Sequence, residues 1–73
     1  MRGEVLANDE KEIEVQEKNG GQKKSFKITK KTVIEDRNGN KVKIGDILIG
    51  DEVIVEYQPG STTPDAIKIT VLR

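Results

Sequence analysis

Any chemistry in this chain must come from lysine, carboxylates, hydroxyls and a single tyrosine, because its 73 residues include no cysteine and no histidine. Those two absences remove the thiolate nucleophile, the commonest general base and the soft or borderline metal ligands. The strongest signal left is charge. Residues 1 to 17 hold six acids against two bases, a net of −4, whereas residues 18 to 31 hold six lysines and no acid. A run such as Lys23, Lys24, Lys27, Lys30 and Lys31 can neutralise phosphates along a single strand of nucleic acid, with Tyr57 as the available base-stacking ring. The plainer reading is local pairing: if the acidic segment lies against the basic one, Glu14 meets Lys27 and Glu17 meets Lys24, and the strip's field largely cancels. Pairing is the preferred reading.

The other candidates are weaker. Asp36-x-Asn38-Gly39-Asn40 begins like a calcium loop, yet an EF-hand needs glycine at the sixth place and glutamate at the twelfth, where this chain has Lys41 and Ile47. Asn-Gly instead marks a hairpin turn. Asp46 and Asp51 each follow a glycine, where aspartate commonly bonds its own backbone rather than serving acid-base chemistry. Ser61-Thr62-Thr63 offers hydroxyls without a neighbouring base, and Lys68, between Ile67 and Ile69, reads as a solvated charge protecting a sheet edge. The expectation is a chain that is not an enzyme and holds no cofactor and no metal.

The elements that would position these groups are strands. Seven valines and nine isoleucines stand against three leucines, and branched side chains suit a pleated strand. Alternation predicts a first strand over residues 2 to 8, a second from Ile13 to about Lys18, and a third around Phe26 and Ile28. With Gly20-Gly21 as a two-residue loop, Val15 falls opposite Phe26 and Ile13 opposite Ile28; taking Asn19-Gly20 instead would set Val15 against Lys24. The first register is expected. A short fourth strand covers Thr32 to Glu35 and continues over Lys41 to Ile44. Gly45 to Asp51 reads as a turn or single 3₁₀ turn crossing one end, with Leu48 or Ile49 as the plug. Val53, Val55 and Tyr57 form the inward face of a fifth strand, and Ile67, Ile69 and Val71 that of a last one.

A chain of this length makes one domain, residues 1–73, with a core too small to enclose a large ligand chamber. Short antiparallel strands of this kind bury one face and hide their edges by closing, so the expected fold is all-β: a small closed barrel of five or six antiparallel strands, OB-like, with an SH3-like barrel as the alternative. The longest apolar run, Ile47-Leu48-Ile49, is far shorter than the roughly 20 residues of a membrane span. The chain therefore reads as soluble, with no signal peptide.

The order Gly3-x-Val5, Ile13-x-Val15, Phe26-x-Ile28, Thr32-x-Ile34 and Asp46-Ile47-Leu48-Ile49-Gly50-Asp51-x-Val53-x-Val55 resembles a family of small bacterial β-barrel domains of unknown function found in exported or envelope-associated proteins. The scaffold is also similar to the OB barrels of periplasmic copper and silver chaperones, but their metal is held by His and Met beside Trp, and this chain has no His, no Trp and only Met1. The resemblance implies an exported setting and a non-catalytic module that binds a protein partner or an envelope component. The alternative is an oligonucleotide-binding domain using Lys23, Lys24, Lys27, Lys30, Lys31 and Tyr57.

Overall fold

Alternating branched residues give six strands: β1 (Arg2–Asn8), β2 (Glu12–Glu17), β3 (Lys23–Lys27), β4 (Val33–Asp36), β5 (Glu52–Tyr57) and β6 (Ala66–Val71). The computed structural model describes residues 1–73, and its only helical element is one 3₁₀ turn, Ile44–Asp46. All six strands join one sheet in the order β3-β2-β1-β5-β6-β4. One face is dry: Val5, Ile13, Val15, Phe26, Val53, Val55 and Ile69 are fully buried, and no polar side chain is buried with them. That matches the period-2 rule, and it leaves the core without an unpaired donor or acceptor.

The ladder does not close into the expected barrel. Its two edge strands are β3 and β4, and the nearest thing to closure is a parallel bridge between Lys27 and Asp65, in which the Lys27 N–H donates to the Pro64 carbonyl at 2.9 Å. Nor is the sheet wholly antiparallel, since β4 runs parallel to β6, pairing Val33 with Lys68 and Asp36 with Val71. The expected β2–β3 register is also overturned. Ile13 faces Phe26 and Val15 faces Lys24, the pairing that follows from a turn centred on Asn19-Gly20. Only Gly20 of the two glycines takes a positive φ, 74°, so the Gly20-Gly21 loop, which needs two, does not form. The Glu17 N–H closes the turn on the Gln22 carbonyl at 3.1 Å.

Lys24 tolerates this place on the inner face because β3 is an edge strand. Its ammonium sits 5.3 Å from the Tyr57 ring centroid, so the stem packs while the charge meets a π face. The new register removes both expected ion pairs: Glu14 now stands opposite Ser25, and Glu17 has moved beyond β3. Lys68 is corrected too. It lies on β6, inside the sheet between β5 and β4, and bonds Glu35 at 2.9 Å rather than guarding an edge.

Two irregularities redirect side chains. On β6 the pairing steps from Glu56–Lys68 to Tyr57–Ala66, and the extra residue, Ile67, is turned out to 51% exposure while Ala66 goes in. The bulge explains why strict alternation misplaces Ile67. At the crossover before β5, Ile47 is the buried plug, and Leu48 and Ile49 stand 57% and 73% exposed. The turn carrying them is held by the Leu48 N–H on Asp51 Oδ2 at 2.8 Å and the Asp51 N–H on the Leu48 carbonyl. Asn8 fixes the crossover from below, its side-chain amide donating to the carbonyls of Ile44 and Ile47.

Candidate polyanion-binding surface

Strand β3 and the turn after it carry the basic strip. Lys23 and Lys27 alternate with Ser25 on the outward face of β3, both exposed. Lys30 and Lys31 follow at the tip of a turn made rigid by threonines. The Thr29 N–H donates to Thr32 Oγ1 at 3.0 Å, the Lys31 N–H to Thr29 Oγ1 at 3.1 Å, and Thr32 Oγ1 to the Ala66 carbonyl at 2.6 Å. The two lysines are thus presented from a fixed backbone rather than from a loose loop.

The charges on this strip are free. The four ion pairs of the molecule are Arg2–Glu52, Lys18–Glu52, Lys68–Glu35 and Arg73–Asp51, and none involves Lys23, Lys24, Lys27, Lys30 or Lys31. Glu12 stands opposite Lys27 in register but forms no ion pair with it. Lys27 and Lys31 face the loop from Gln58 to Asp65 across an open cleft of about 660 Å³, whose acid is Asp65. A smaller groove of about 310 Å³ adds Lys41 to Lys30 and Lys31. Sequence reasoning does not place Lys41 here, because only the return of the backbone after β4 brings it back: the Val42 N–H donates to the Ile34 carbonyl and Lys41 bridges Glu35.

Tyr57 joins the lysines by contact rather than as a free platform. Its ring packs 4.9 Å from that of Phe26, tilted by 52°, and Lys24 covers it from outside. A base stacking there would have to displace the Lys24 ammonium and its stem. The arrangement therefore offers phosphate contacts before it offers base contacts.

Of the carboxylates singled out in the sequence, those of Asp36 and Asp51 are occupied by backbone. Asp36 Oδ1 accepts from the N–H groups of Asn38 and Asn40, and Oδ2 from the Asn40 amide. This is a self-satisfied hairpin loop with Gly39 at φ 85°. Asp51 holds its own turn and Arg73, while the Asp46 carbonyl accepts from Arg73. The hydroxyl of Ser61 accepts from the Thr63 N–H.

These bonds have a pH consequence. Asp9, Asp36 and Glu52 are all held below their ordinary values: Asp9 by the N–H groups of Glu12 and Lys11, Asp36 by the Asn40 N–H, and Glu52 by hydrogen bonds from Arg2 and then Lys18. A carboxylate whose folded pKa is depressed stabilises the fold fully above its unfolded pKa, and that contribution is lost as pH falls through the folded value. The melting temperature should therefore hold from neutrality down to about pH 4.5 and decline below it. Asp36→Asn should make the decline shallower, and an acid limb unchanged by that substitution would contradict the assignment. Lys68 is the opposite case, raised by its hydrogen bond to Glu35, so its contribution is complete at neutrality and fades only at strongly alkaline pH.

No family profile, no curated protein and no solved structure matches this sequence.

Proposed function

We propose that this protein is a non-catalytic binding domain that takes an extended phosphate-bearing polymer, single-stranded nucleic acid being the nearest chemical match, along β3 and the Lys30-Lys31 turn. The observation that carries the reading is that Lys23, Lys27, Lys30 and Lys31 have no ion-paired partner, with Lys24 beside them on Tyr57, in a sequence whose 13 acids and 13 bases balance only when these lysines are counted. Free ammonium groups on a rigid edge release counterions when phosphates replace their salt atmosphere.

The strand pairing supports reading the sheet as OB-like, which favours the same function. β3 meets the residue before β6 through the isolated Lys27–Asp65 bridge, and β4 then pairs parallel with β6 from Val33–Lys68 onward, so we read the two as halves of one interrupted strand. β6, β5, β1 and β2 then follow antiparallel. In OB barrels the face formed by the second and third strands, with the loop before the last strand, takes oligonucleotides and oligosaccharides. Here that face carries Lys23 and Lys27, and that loop is the far wall of the cleft.

The test is fluorescence anisotropy with labelled single-stranded DNA and RNA at about 50 and 200 mM salt, with inorganic polyphosphate as competitor. The reading expects binding at the lower salt, steep weakening at the higher and displacement by polyphosphate. Absence of binding at both would reject it.

The second reading, a module that binds a protein partner or an envelope component, rests on the exposed Leu48-Ile49 pair held on a fixed turn. It predicts a partner lost on Leu48→Ser/Ile49→Ser but kept when the lysines are replaced.

A further inference from the structure

The protein has two Asn-Gly sequences, Asn19-Gly20 and Asn38-Gly39, both exposed and both in hairpin turns. Asparagine before glycine is chemically labile because the following backbone nitrogen, unshielded by a side chain, can reach the asparagine amide carbon. The two turns treat that nitrogen differently. The Gly39 N–H donates to the Asp36 carbonyl at 3.1 Å, and the flanking N–H groups of Asn38 and Asn40 are both bound to Asp36 Oδ1. The Gly20 N–H makes no hydrogen bond within the molecule, and the Asn19 side chain makes none either; the turn is held instead by the Gln16 side-chain amide on the Gly21 carbonyl at 2.6 Å and the Glu17 N–H on the Gln22 carbonyl, neither of which engages the attacking nitrogen.

We propose that Asn19 is a spontaneous modification site of the folded protein, converting to aspartate and isoaspartate, while Asn38 is protected by the Asp36 loop. The Gly20 nitrogen loses its proton to solvent base and attacks Cγ of Asn19, forming the ring C–N bond. The bond from Cγ to the asparagine Nδ2 breaks, and that nitrogen leaves as ammonia after taking up a proton. Water then opens the five-membered succinimide at one of its two carbonyls, giving aspartate or, with the backbone lengthened by one methylene, isoaspartate. No oxidant or cofactor enters.

Hydrogen bonding decides the contrast at both steps that matter. A proton shared with a carbonyl is harder to remove, and a loop pinned at three N–H groups resists the rotation that brings Cγ over the nitrogen. Gly20, at φ 74° with open space where a Cβ would stand, has neither restraint. Each conversion places a new carboxylate between Lys18 and Lys23, at the start of the basic strip. The lability of Asn19 does not depend on whether that strip binds a polymer.

The experiment incubates the full-length protein in mildly alkaline buffer, samples it over time, and maps each site by peptide mass spectrometry, with isoaspartyl methyltransferase labelling to count isoaspartate. The expected result is conversion at Asn19 several times faster than at Asn38. In urea the two rates should converge, because the protection belongs to the fold, and in Asp36→Ala the Asn38 rate should rise while that of Asn19 stays. Equal rates in the folded protein, or a contrast that persists unchanged in urea, would overturn the proposal.

Discussion

Phe26→Ala should lower the unfolding free energy by about 3–5 kcal/mol, roughly a third or more of the total for a domain of this size, since stability of about 0.05–0.15 kcal/mol per residue gives roughly 4–11 kcal/mol for 73 residues. The ring is fully buried, stands opposite Ile13 and packs on Tyr57. It is the one phenylalanine in the sequence, so no second phenylalanine can collapse into the space it leaves. Urea denaturation read by far-ultraviolet circular dichroism would show the midpoint shifted far down or the fold lost. Ile67→Ala serves as the comparison: the bulge has turned that side chain outward, and its removal should cost less than about 1 kcal/mol. Comparable losses at the two positions would mean that the inner face is not where the burial pattern puts it.

Gly3→Ala should destabilise by about 2–3 kcal/mol through overpacking. Gly3 lies where β1 is paired on both sides, with Glu17 of β2 and Val53 of β5. A Cβ there would fall 2.0 Å from the Gln16 carbonyl oxygen and 2.9 Å from Val15 Cγ1. Backbone on one side and a buried valine on the other leave nothing flexible to give way, so the strands must part. Gly20 has the opposite constraint, open space but a left-handed backbone, and Gly20→Ala should cost about 1 kcal/mol from φ alone. If Gly3→Ala unfolds no earlier than Gly20→Ala, the close approach of β1 to β2 is wrong.

Much of this fold is legible in the sequence because a strand's faces follow from period 2. Val5, Ile13, Val15, Phe26, Val53, Val55, Ile69 and Val71 all go where alternation sends them. The register error at β2–β3 is invisible to that rule: moving the turn from Gly20-Gly21 to Asn19-Gly20 shifts partners by two residues and leaves every side chain on its own face. What it changes is who stands opposite whom, and that decides whether the lysines are neutralised. Lys24 shares the face of Phe26 in either register and changes only its partner, from Glu17 to Val15; at this edge strand its charge lies over Tyr57.

The remaining misses have equally local causes. Ile67 follows from one inserted residue, and the choice of Ile47 over Leu48 or Ile49 as plug follows from where the turn before Asp51 is pinned. Parallel pairing of β4 with β6 joins segments more than thirty residues apart and has no local signature. Lys41 reaches the strip by a local return instead, the hairpin after β4 that bridges it to Glu35. The lysines of the candidate surface are legible as a run, but their freedom from ion pairs is not.

Whether the lysine strip takes a phosphate polymer is decided most simply by the salt dependence of single-stranded DNA binding, measured for the native protein and for Lys27→Gln/Lys31→Gln, with Lys11→Gln/Lys43→Gln as a control of equal charge change. Removing one lysine–phosphate interaction should reduce the slope of log K against log salt by about 0.7. Measurable low-salt affinity is expected for the native protein, with a shallower slope and weaker binding for the Lys27/Lys31 variant and a control close to native. Equal slopes for the two variants, or no binding by the native protein at about 50 mM salt, would rule the strip out as the binding surface.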